Sequence, residues 1–268
     1  MKLGVMSNPN IEKATTLAKE VLDFLDGKAE VTVEESLASK LGIKGFPLSE
    51  MNPEILITIG GDGTVLWALQ RTNAKLFCIN AGILGFLTEA SPENAIQSLE
   101  RILKGDYIID KRARLKTVLN GERLFDCTNE AVIHTAHVAK MRHFEILVDD
   151  NLVADIRADG IIVATPTGST CYAMSVGSPL VDPRVNAFVI APIAPFKLSA
   201  RPYVVPIDSE ITIRILEPNR PCTLVLDGQY ETQVESEGSI LFTESEKPAE
   251  LVRFSRDFYK RVSEKLVL

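Results

Sequence analysis

The strongest strand pattern in the chain runs directly into a glycine-rich loop in residues 54–64, EILITIGGDGT. The run Glu54–Ile59 is almost entirely apolar, which is typical of a parallel strand buried on both faces. It stops abruptly at Gly60, and Thr64–Arg71 has helical character. A buried strand, a glycine turn and a helix together are characteristic of an α/β layer.

The same alternation surrounds this segment. Apolar residues recur at helical spacing in Ile11–Leu25, and Asn94–Leu103 forms another helical pattern. Lys2–Met6 and Lys75–Ile79 are short strand patterns. Alternating strands and helices predict a parallel sheet in the first third of the chain.

From about Tyr107 the pattern changes to short strands separated by turn residues. Leu115–Leu119 and Arg123–Phe125 flank an Asn-Gly pair, which predicts a hairpin. Further short strand patterns follow, which favours an all-β sandwich or layered sheet. Asp257–Leu266 returns to helical character and is expected to pack on the N-terminal layer. We therefore predict an α/β domain over 1–105, a β-rich domain over 106–244, and a return of 245–268 to the first domain.

Composition excludes several classes of protein. The 268 residues are 46% hydrophobic and 24% charged, and the formal net charge is −7. An acidic chain does not favour broad binding to nucleic acid or anionic membranes. No apolar run approaches the roughly 18 residues of a membrane span, and the N-terminus has no signal-peptide pattern. The four cysteines are dispersed without a CxxC, which fits a reducing compartment. We expect a cytoplasmic protein with no nucleic-acid or membrane partner.

The glycine loop is the sharpest candidate for chemistry. Gly60, Gly61 and Gly63 allow positive φ angles and a close approach of a ligand to the backbone. The N-terminus of the following helix is suited to phosphate. Asp62 would repel phosphate unless it holds a bridging divalent cation or accepts the proton of an attacking hydroxyl. The alternative is a tight structural turn. The loop matches neither the Rossmann nor the Walker fingerprint.

A second candidate loop, Thr165–Tyr172, reads TPTGSTCY. Its four hydroxyls could bind sugar or phosphate groups, and Tyr172 offers a face for base stacking. A Ser/Thr turn with a helix N-cap explains much of the same pattern.

Three polar segments are less distinctive. Asn129-Glu130 interrupts apolar residues and could contact a ligand, although a turn is the simpler interpretation. Arg157 and Asp159 could form a surface ion pair, and Asp227–Gln229 could be an ordinary turn.

These motifs together resemble the NAD kinase family. The family's GGDGT loop, N-x-G-x-L-G-F-L segment, Asn-Glu pair, TPTGSTAY-type loop, proline-rich stretch and Asp-Gly-Gln turn are matched, in order, by Gly60–Thr64, Asn80–Leu87, Asn129-Glu130, Thr165–Tyr172, Pro192–Pro202 and Asp227–Gln229. GGDGT alone is shared with lipid kinases and, loosely, with phosphofructokinases. The hydroxyl loop together with the Asn-Glu pair makes the resemblance specific.

The resemblance implies transfer of the terminal phosphoryl group of ATP, or of polyphosphate, to the 2′-hydroxyl of the adenosine ribose of NAD, giving NADP. It implies a Rossmann-like, phosphofructokinase-like α/β domain and a C-terminal layered β-sandwich domain. It also implies a divalent metal, Mg²⁺ or Mn²⁺, and a homodimer or homotetramer.

Site residues follow from the resemblance, motif by motif. Asp62 is implied as the general base, and the loop for the phosphate donor comprises Gly60, Gly61, Gly63 and Thr64. The implied nucleotide-binding positions are Asp62, Gly63, Asn129, Glu130, Lys140, Arg157, Asp159, Thr170, Cys171, Tyr172, Ala173, Met174, Ser175 and Gln229.

Two positions depart from the family pattern. Cys171 replaces the usual Ala, and Phe196 stands where many bacterial members have His. Two other functions stay open at this stage: a GGDGT-type lipid or sphingoid kinase, and a non-catalytic NAD(P) sensor.

Overall fold

The computed structural model describes residues 1–82, 85–137, 140–216, 221–235 and 237–267. The chain folds into two compact units. One comprises Met1–Lys111 together with Ala249–Leu268, and the other comprises Arg112–Pro248.

The chain begins in the first unit, where the elements are β1 (Lys2–Ser7), α1 (Glu12–Leu25), β2 (Glu30–Val33), α2 (Glu35–Leu41), β3 (Ile55–Gly60), α3 (Asp62–Leu69), β4 (Lys75–Asn80), α4 (Ala95–Leu103) and β5 (Ile108–Arg112). A 3₁₀ turn, Pro92–Asn94, precedes α4.

The second unit consists mainly of strands, which are β6 (Leu115–Leu119), β7 (Glu122–Arg123), β8 (Glu130–Thr135), β9 (Arg142–Val148), β10 (Asn151–Ala158), β11 (Gly160–Ala164), β12 (Ala187–Ile193), β13 (Tyr203–Pro206), β14 (Ile211–Ile215), β15 (Cys222–Leu226), β16 (Tyr230–Val234) and β17 (Ser239–Glu244). Between β11 and β12 lie a 3₁₀ turn, Gly168–Thr170, and the short helix α5 (Tyr172–Ser175). The chain then returns to the first unit through β18 (Ala249–Arg253) and α6 (Phe258–Val262), which continues as a π-helical turn over Ser263–Val267.

The sheet of the first unit has the order β2-β1-β3-β4-β18-β5, and its first five strands pair in parallel. Successive strand residues face opposite sides of a sheet. Ile55, Ile57 and Ile59 therefore pack in the same cluster as residues of α1, α2 and α4, whereas Leu56 packs with α3. Both faces of β3 are buried, which explains its unbroken apolar sequence and places Gly60 at the edge where α3 begins.

The second unit contains two antiparallel sheets, with orders β10-β9-β14-β17-β6-β7 and β13-β12-β11-β8-β15-β16. Residues from both sheets share one core; examples are Phe144 and Phe242 from the first sheet and Ile161 and Phe188 from the second. The opposite face of the second sheet is covered by Ala173 and its neighbours. The predicted combination of an α/β layer with a layered β sandwich is confirmed.

Several local predictions need correction. Helix α3 begins at Asp62 rather than Thr64, so Asp62 occupies the first helical turn. The helix α2, which is followed by the left-handed Gly42, was missed because it is only seven residues long. The hairpin predicted around Asn120-Gly121 is confirmed by the antiparallel pairing of β6 with β7, but its second strand is Glu122–Arg123 rather than Arg123–Phe125. Within the described ranges, no helix combines the length and apolarity needed to span a membrane.

A core substitution tests the packing of the first unit. Phe77 in β4 is fully buried, and its ring centroid lies 5.7 Å from that of Phe254. We expect Phe77→Ala to lower the free energy of unfolding by about 3–5 kcal/mol, through lost burial and the cavity left behind. Urea unfolding measures this, and Ile43→Ala at an exposed site is the control. Equal effects of the two substitutions would contradict the packing.

Candidate active site

The glycine loop closes tightly against α3. The three glycines allow positive φ angles, but none of Gly60, Gly61 and Gly63 adopts one. Gly60 instead provides space, because a Cβ atom there would lie 2.3 Å from the hydroxyl oxygen of Thr64. That buried hydroxyl accepts a hydrogen bond from Asn8 Nδ2 at 3.2 Å. The loop therefore holds the start of α3 firmly against the end of β1.

Asp62 is bound by three successive backbone amides. Its carboxylate accepts hydrogen bonds from the N–H groups of Phe86 at 2.7 Å, Leu87 at 3.0 Å and Thr88 at 3.3 Å. Gly85 permits this approach, because a Cβ atom there would lie 1.8 Å from Asp62 Oδ1. The half-buried carboxylate is thus held in one orientation at the N-terminal turn of α3.

The motif Asn80–Leu87 supplies this amide segment. The Asn80 side chain bonds both the N–H and the carbonyl of Gly82, at 3.0 and 2.9 Å, which fixes the turn after β4. The N–H of Gly85 donates to the Thr88 hydroxyl at 3.1 Å. Two residues of the motif, Ile83 and Leu84, lie outside the described residues.

Two buried arginines from the end of the chain hold the same segment from the other side. Arg253 donates to the carbonyls of Thr88 at 2.9 Å and Phe86 at 3.1 Å. Arg261 also donates to the Thr88 carbonyl, and both guanidinium groups bond Glu89 Oε2, at 2.9 and 2.6 Å. The return of the C-terminal segment to the first unit therefore positions the amides that hold Asp62.

The second unit contains a similar arrangement around Asp227. Its carboxylate accepts hydrogen bonds from the N–H groups of Thr128 at 2.7 Å, Asn129 at 2.7 Å and Glu130 at 3.1 Å. Asp227 is only 4% exposed and has a positive φ of 53° in the turn between β15 and β16. The turn predicted at Asp227–Gln229 is confirmed, and its carboxylate also fixes the backbone of Asn129-Glu130.

Burial raises the pKa of two neighbouring carboxyl groups, those of Asp227 and Glu130. It raises the pKa of Asp227 to about 6, although the three amide bonds and Arg114 act in the opposite direction. Burial raises the pKa of Glu130 to about 8, and the adjacent Asp227 charge contributes in the same direction. Near neutral pH the Glu130 carboxyl group is therefore mostly protonated and able to donate a hydrogen bond.

Two buried polar atoms of this pair lack a hydrogen-bond partner among the residues that the structure describes: Asn129 Oδ1 and Glu130 Oε2. The Asn129 amide nitrogen donates to Cys171 Sγ at 3.3 Å. Buried polar atoms without partners are costly, and a bound ligand is one way to satisfy them. The pair thus has the character of a ligand-binding site adjoining Cys171.

The hydroxyl loop is held together by its own hydrogen bonds, which favours the Ser/Thr-turn interpretation that the sequence left open. Thr165, Ser169 and Thr170 donate to the carbonyls of Thr128, Pro166 and Thr167 at 2.5, 2.7 and 3.1 Å. The hydroxyl of Thr167 accepts from Arg112 at 3.3 Å. These four side chains are buried and stabilise the loop itself.

The last two residues of this loop and those that follow it are more accessible. Tyr172 is 39% exposed, Ser175 is exposed, and Cys171 and Met174 are half-buried. Ala173 is fully buried against the sheet. Gln229 is half-buried beside the Asp227 turn.

The remaining predicted residues lie elsewhere in the second unit. Glu130 pairs with Ala164 at one end of the β8–β11 ladder, whereas Asp159 precedes Gly160 at the other end. Four residues of strand separate the two ends, about 13 Å. Arg157 is exposed near that second end, and Lys140 is exposed just before β9. The structure therefore brings Asn129, Glu130 and the Cys171 loop together, but not Lys140, Arg157 or Asp159 with them.

Sequence reasoning missed the supporting residues. Arg253, Arg261 and the carboxylate of Asp227 contact chain segments that lie about 97 to 173 positions away. The sequence did contain one signal for the role of Asp227. This residue directly follows the apolar strand Cys222–Leu226, and a carboxylate at such a buried position needs hydrogen-bond partners. The C-terminal arginines had no comparable local signal.

A substitution at Asp227 tests its structural role. In Asp227→Asn, the three amide N–H groups would face either the NH₂ group of the new side chain, which cannot accept their hydrogen bonds, or its uncharged oxygen. We expect the free energy of unfolding at pH 7.5 to fall by at least about 2 kcal/mol, the size of hydrogen bonds to a charged group. Urea unfolding measures this, with Asp208→Asn at an exposed site as the matched control. A loss no larger than that of the control would contradict the role.

The raised pKa of Glu130 predicts a pH dependence of stability. The ordinary value is 4.5 and the folded value is about 8, so the folded chain holds the proton more tightly. This contribution to stability is complete below about pH 4.5 and is lost as the pH rises through about 8. We expect Glu130→Gln to lose less stability than the wild type between pH 6.5 and 9 in urea unfolding. Glu122→Gln, at an exposed site, should follow the wild type; parallel curves for all three proteins would contradict the assignment.

Comparisons with known proteins agree with this architecture. The model of the ATP-NAD kinase N-terminal domain matches residues 3–107, and that of the ATP-NAD kinase C-terminal domain matches residues 128–254. The NAD kinase of Methanothermobacter thermautotrophicus is 43% identical over 274 residues, covering 100% of this chain and 96% of the relative. That of Thermococcus kodakarensis is 41% identical and covers 99% of both chains.

Two solved structures extend the likeness to the fold. An NAD kinase from Archaeoglobus fulgidus in complex with ATP has a TM-score of 0.79 and 30% identity, covering 99% of this chain and 98% of that one. Yeast NADH kinase complexed with NADH has a TM-score of 0.92 at 22% identity, covering 100% and 87%, and supports the fold alone. The order of motifs, both family domains and full-length relatives agree: the chain belongs to the NAD kinase family.

Proposed function

We propose that this chain phosphorylates NAD at the 2′-hydroxyl of its adenosine ribose, with ATP as the donor and Asp62 as the general base. The observation that carries the role of Asp62 is its carboxylate, held by three amides in the first turn of a helix that follows a glycine loop. Membership of the NAD kinase family supports the reaction. The lipid kinase and non-catalytic sensor alternatives have no support from these relatives.

The chemistry requires positioning more than covalent catalysis. As the ribose oxygen forms its bond to the terminal phosphorus, the bond from that phosphorus to the bridging oxygen of ADP breaks. The hydroxyl proton passes to Asp62, whose amide bonds fix its direction. Gly60, Gly61, Gly63 and Thr64 form the proposed donor loop, where the N–H groups of the first turn of α3 favour phosphate.

NAD is assigned to residues of the second unit. The unpartnered oxygens of Asn129 and Glu130 offer one acceptor and, while Glu130 is protonated, one donor. The exposed ring of Tyr172 is available for stacking. The other proposed contacts are those of the family motifs, namely Lys140, Arg157, Asp159, Thr170, Cys171, Ala173, Met174, Ser175 and Gln229.

A divalent cation is expected to enter with the donor. Among the described residues, no three His, Cys, Asp or Glu side chains come together as ligands for a metal ion. These side chains do not fit a metal held by the protein alone. Mg²⁺ commonly binds through substrate phosphates with few protein ligands, so we treat Mg²⁺ or Mn²⁺ as part of the nucleotide substrate. A homodimer or homotetramer and the use of polyphosphate stay predictions.

An assay of NADP formation tests the proposal. The purified protein is incubated with NAD and ATP or polyphosphate, with and without Mg²⁺, and NADP is measured with an NADP-specific dehydrogenase. Parallel reactions replace NAD with diacylglycerol or a sphingoid base and follow labelled phosphate. NADP formation with ATP is expected. Phosphorylation of the lipid alone, or NAD binding without product, would overturn the proposal.

A substitution at Asp62 tests the base assignment. Asp62→Asn keeps the size of the side chain but cannot take up the proton, so we expect kcat to fall at least about a hundredfold. Asp23→Asn, at an exposed site, is the matched control. Circular dichroism and calorimetric NAD binding verify that the variant is folded. A folded Asp62→Asn protein with near-wild-type turnover would refute the role of Asp62.

A further inference from the structure

The proposed mechanism does not use Lys265, a half-buried residue whose ammonium nitrogen is shielded from solvent. It lies in the π-helical turn after α6, in the same unit as the glycine loop. Its ammonium nitrogen is 4.4 Å from the centroid of the Phe86 ring. Phe86 is also the residue whose N–H donates to Asp62 at 2.7 Å. Lys265 therefore lies against the segment that holds the proposed base.

The Lys265 ammonium nitrogen is enclosed but incompletely satisfied. It is shielded from solvent, and no hydrogen-bond acceptor reaches it within the described part of the chain. Buried charges in proteins are normally paired. The neighbouring cations are already engaged, since Arg253 and Arg261 bond Glu89 and Arg261 also bonds Asp257. An ammonium group in this state is suited to an anion supplied from outside the chain.

The charges around Lys265 agree with this view. Burial lowers the pKa of Lys265 to about 8. Asp62 and Asp257 act to raise that pKa, whereas Arg261 and Arg253 act to lower it. The nearby carboxylates therefore do not offset the cost of removing water from the Lys265 ammonium group.

We propose that the Lys265 ammonium binds the terminal phosphoryl group of the donor nucleotide. This inference rests on the proposed function and adds a residue of the C-terminal segment to its donor site. Two features of the first unit favour the donor over NAD: the Gly60–Thr64 loop with the N-terminus of α3, and the contact of Lys265 with Phe86, whose N–H binds Asp62. The family motifs assigned to NAD beyond the glycine loop all lie in the second unit.

The experiment compares Lys265→Met, which keeps the length and apolar packing on Phe86, with wild type. We expect kcat/KM for ATP to fall roughly ten- to a hundredfold at pH 7.5, the range for hydrogen bonds to a charged group. KM for NAD at saturating ATP should change less than twofold. The melting temperature should stay the same or rise, since the substitution removes a buried charge without a full set of partners. A lysine with a merely structural role would lower the melting temperature and leave kcat/KM for ATP unchanged.

Two further variants sharpen the test. Lys260→Met removes an exposed lysine from the same C-terminal helical segment, one that pairs with Glu264 at 3.8 Å, and should leave both substrates unaffected. Lys265→Arg keeps the positive charge and should recover most of the loss. In wild type, kcat/KM for ATP should decline as the pH rises through about 8 and the ammonium loses its proton. That decline should be absent in Lys265→Met and shifted to higher pH in Lys265→Arg.

Each failure has a separate meaning. If wild type forms NADP but Lys265→Met keeps kcat/KM for ATP within twofold, or raises KM for NAD instead, the role of Lys265 is overturned. If wild type forms no NADP, the proposed function fails. Calorimetric titration of both proteins with ATP then decides the Lys265 contact by itself, with weaker binding to the variant expected and equal binding contradicting it.

Discussion

The carboxylate of Asp62 can be oriented only if a distant segment of chain presents consecutive amides to it. Residues 86–88 do so because they are held on both sides. The peptide unit between Phe86 and Leu87 accepts a hydrogen bond from Arg253 at 3.1 Å and donates one to Asp62 at 3.0 Å. Hydrogen bonds in series polarise one another, so a cation on the carbonyl strengthens the amide donor. A side chain at position 85 would collide with the Asp62 carboxylate. Loss of the guanidinium groups behind the segment would disturb the same carboxylate.

The second unit uses the same interaction for a different purpose. Asp227 also binds three successive amides, but it is almost fully buried and its pKa is raised to about 6. Such a carboxylate is poorly placed to exchange protons with a substrate. Its effect is to fix Asn129 and Glu130 and, through its charge, to help keep Glu130 protonated. The first arrangement leaves its carboxylate half-buried, as the proposed proton transfer requires, and the second fixes the backbone of Asn129 and Glu130.

How much of the fold and the candidate site can be predicted from the sequence depends on whether the interacting residues are neighbours in the chain. The run Glu54–Ile59 predicted a strand buried on both faces, because neighbouring residues alone carry that pattern. The local sequence did not predict why position 60 is glycine, because the reason is its contact with the Thr64 hydroxyl rather than its backbone dihedral angles. The sequence also left open what the side chains of the hydroxyl loop bind, since the acceptors of Thr165, Ser169 and Thr170 are backbone carbonyls that composition does not reveal.

The acidic charge of the chain sets the final constraint. With a net charge of −7, long-range attraction does not bring polyanionic substrates to this protein. In the proposed sites, binding comes instead from donors that act at short range: the amides at the start of α3, the protonated Glu130 carboxyl group and the Lys265 ammonium. Interactions in buried sites are screened little by salt. They also require close fit, which is why so much of the structure is devoted to holding short backbone segments in place.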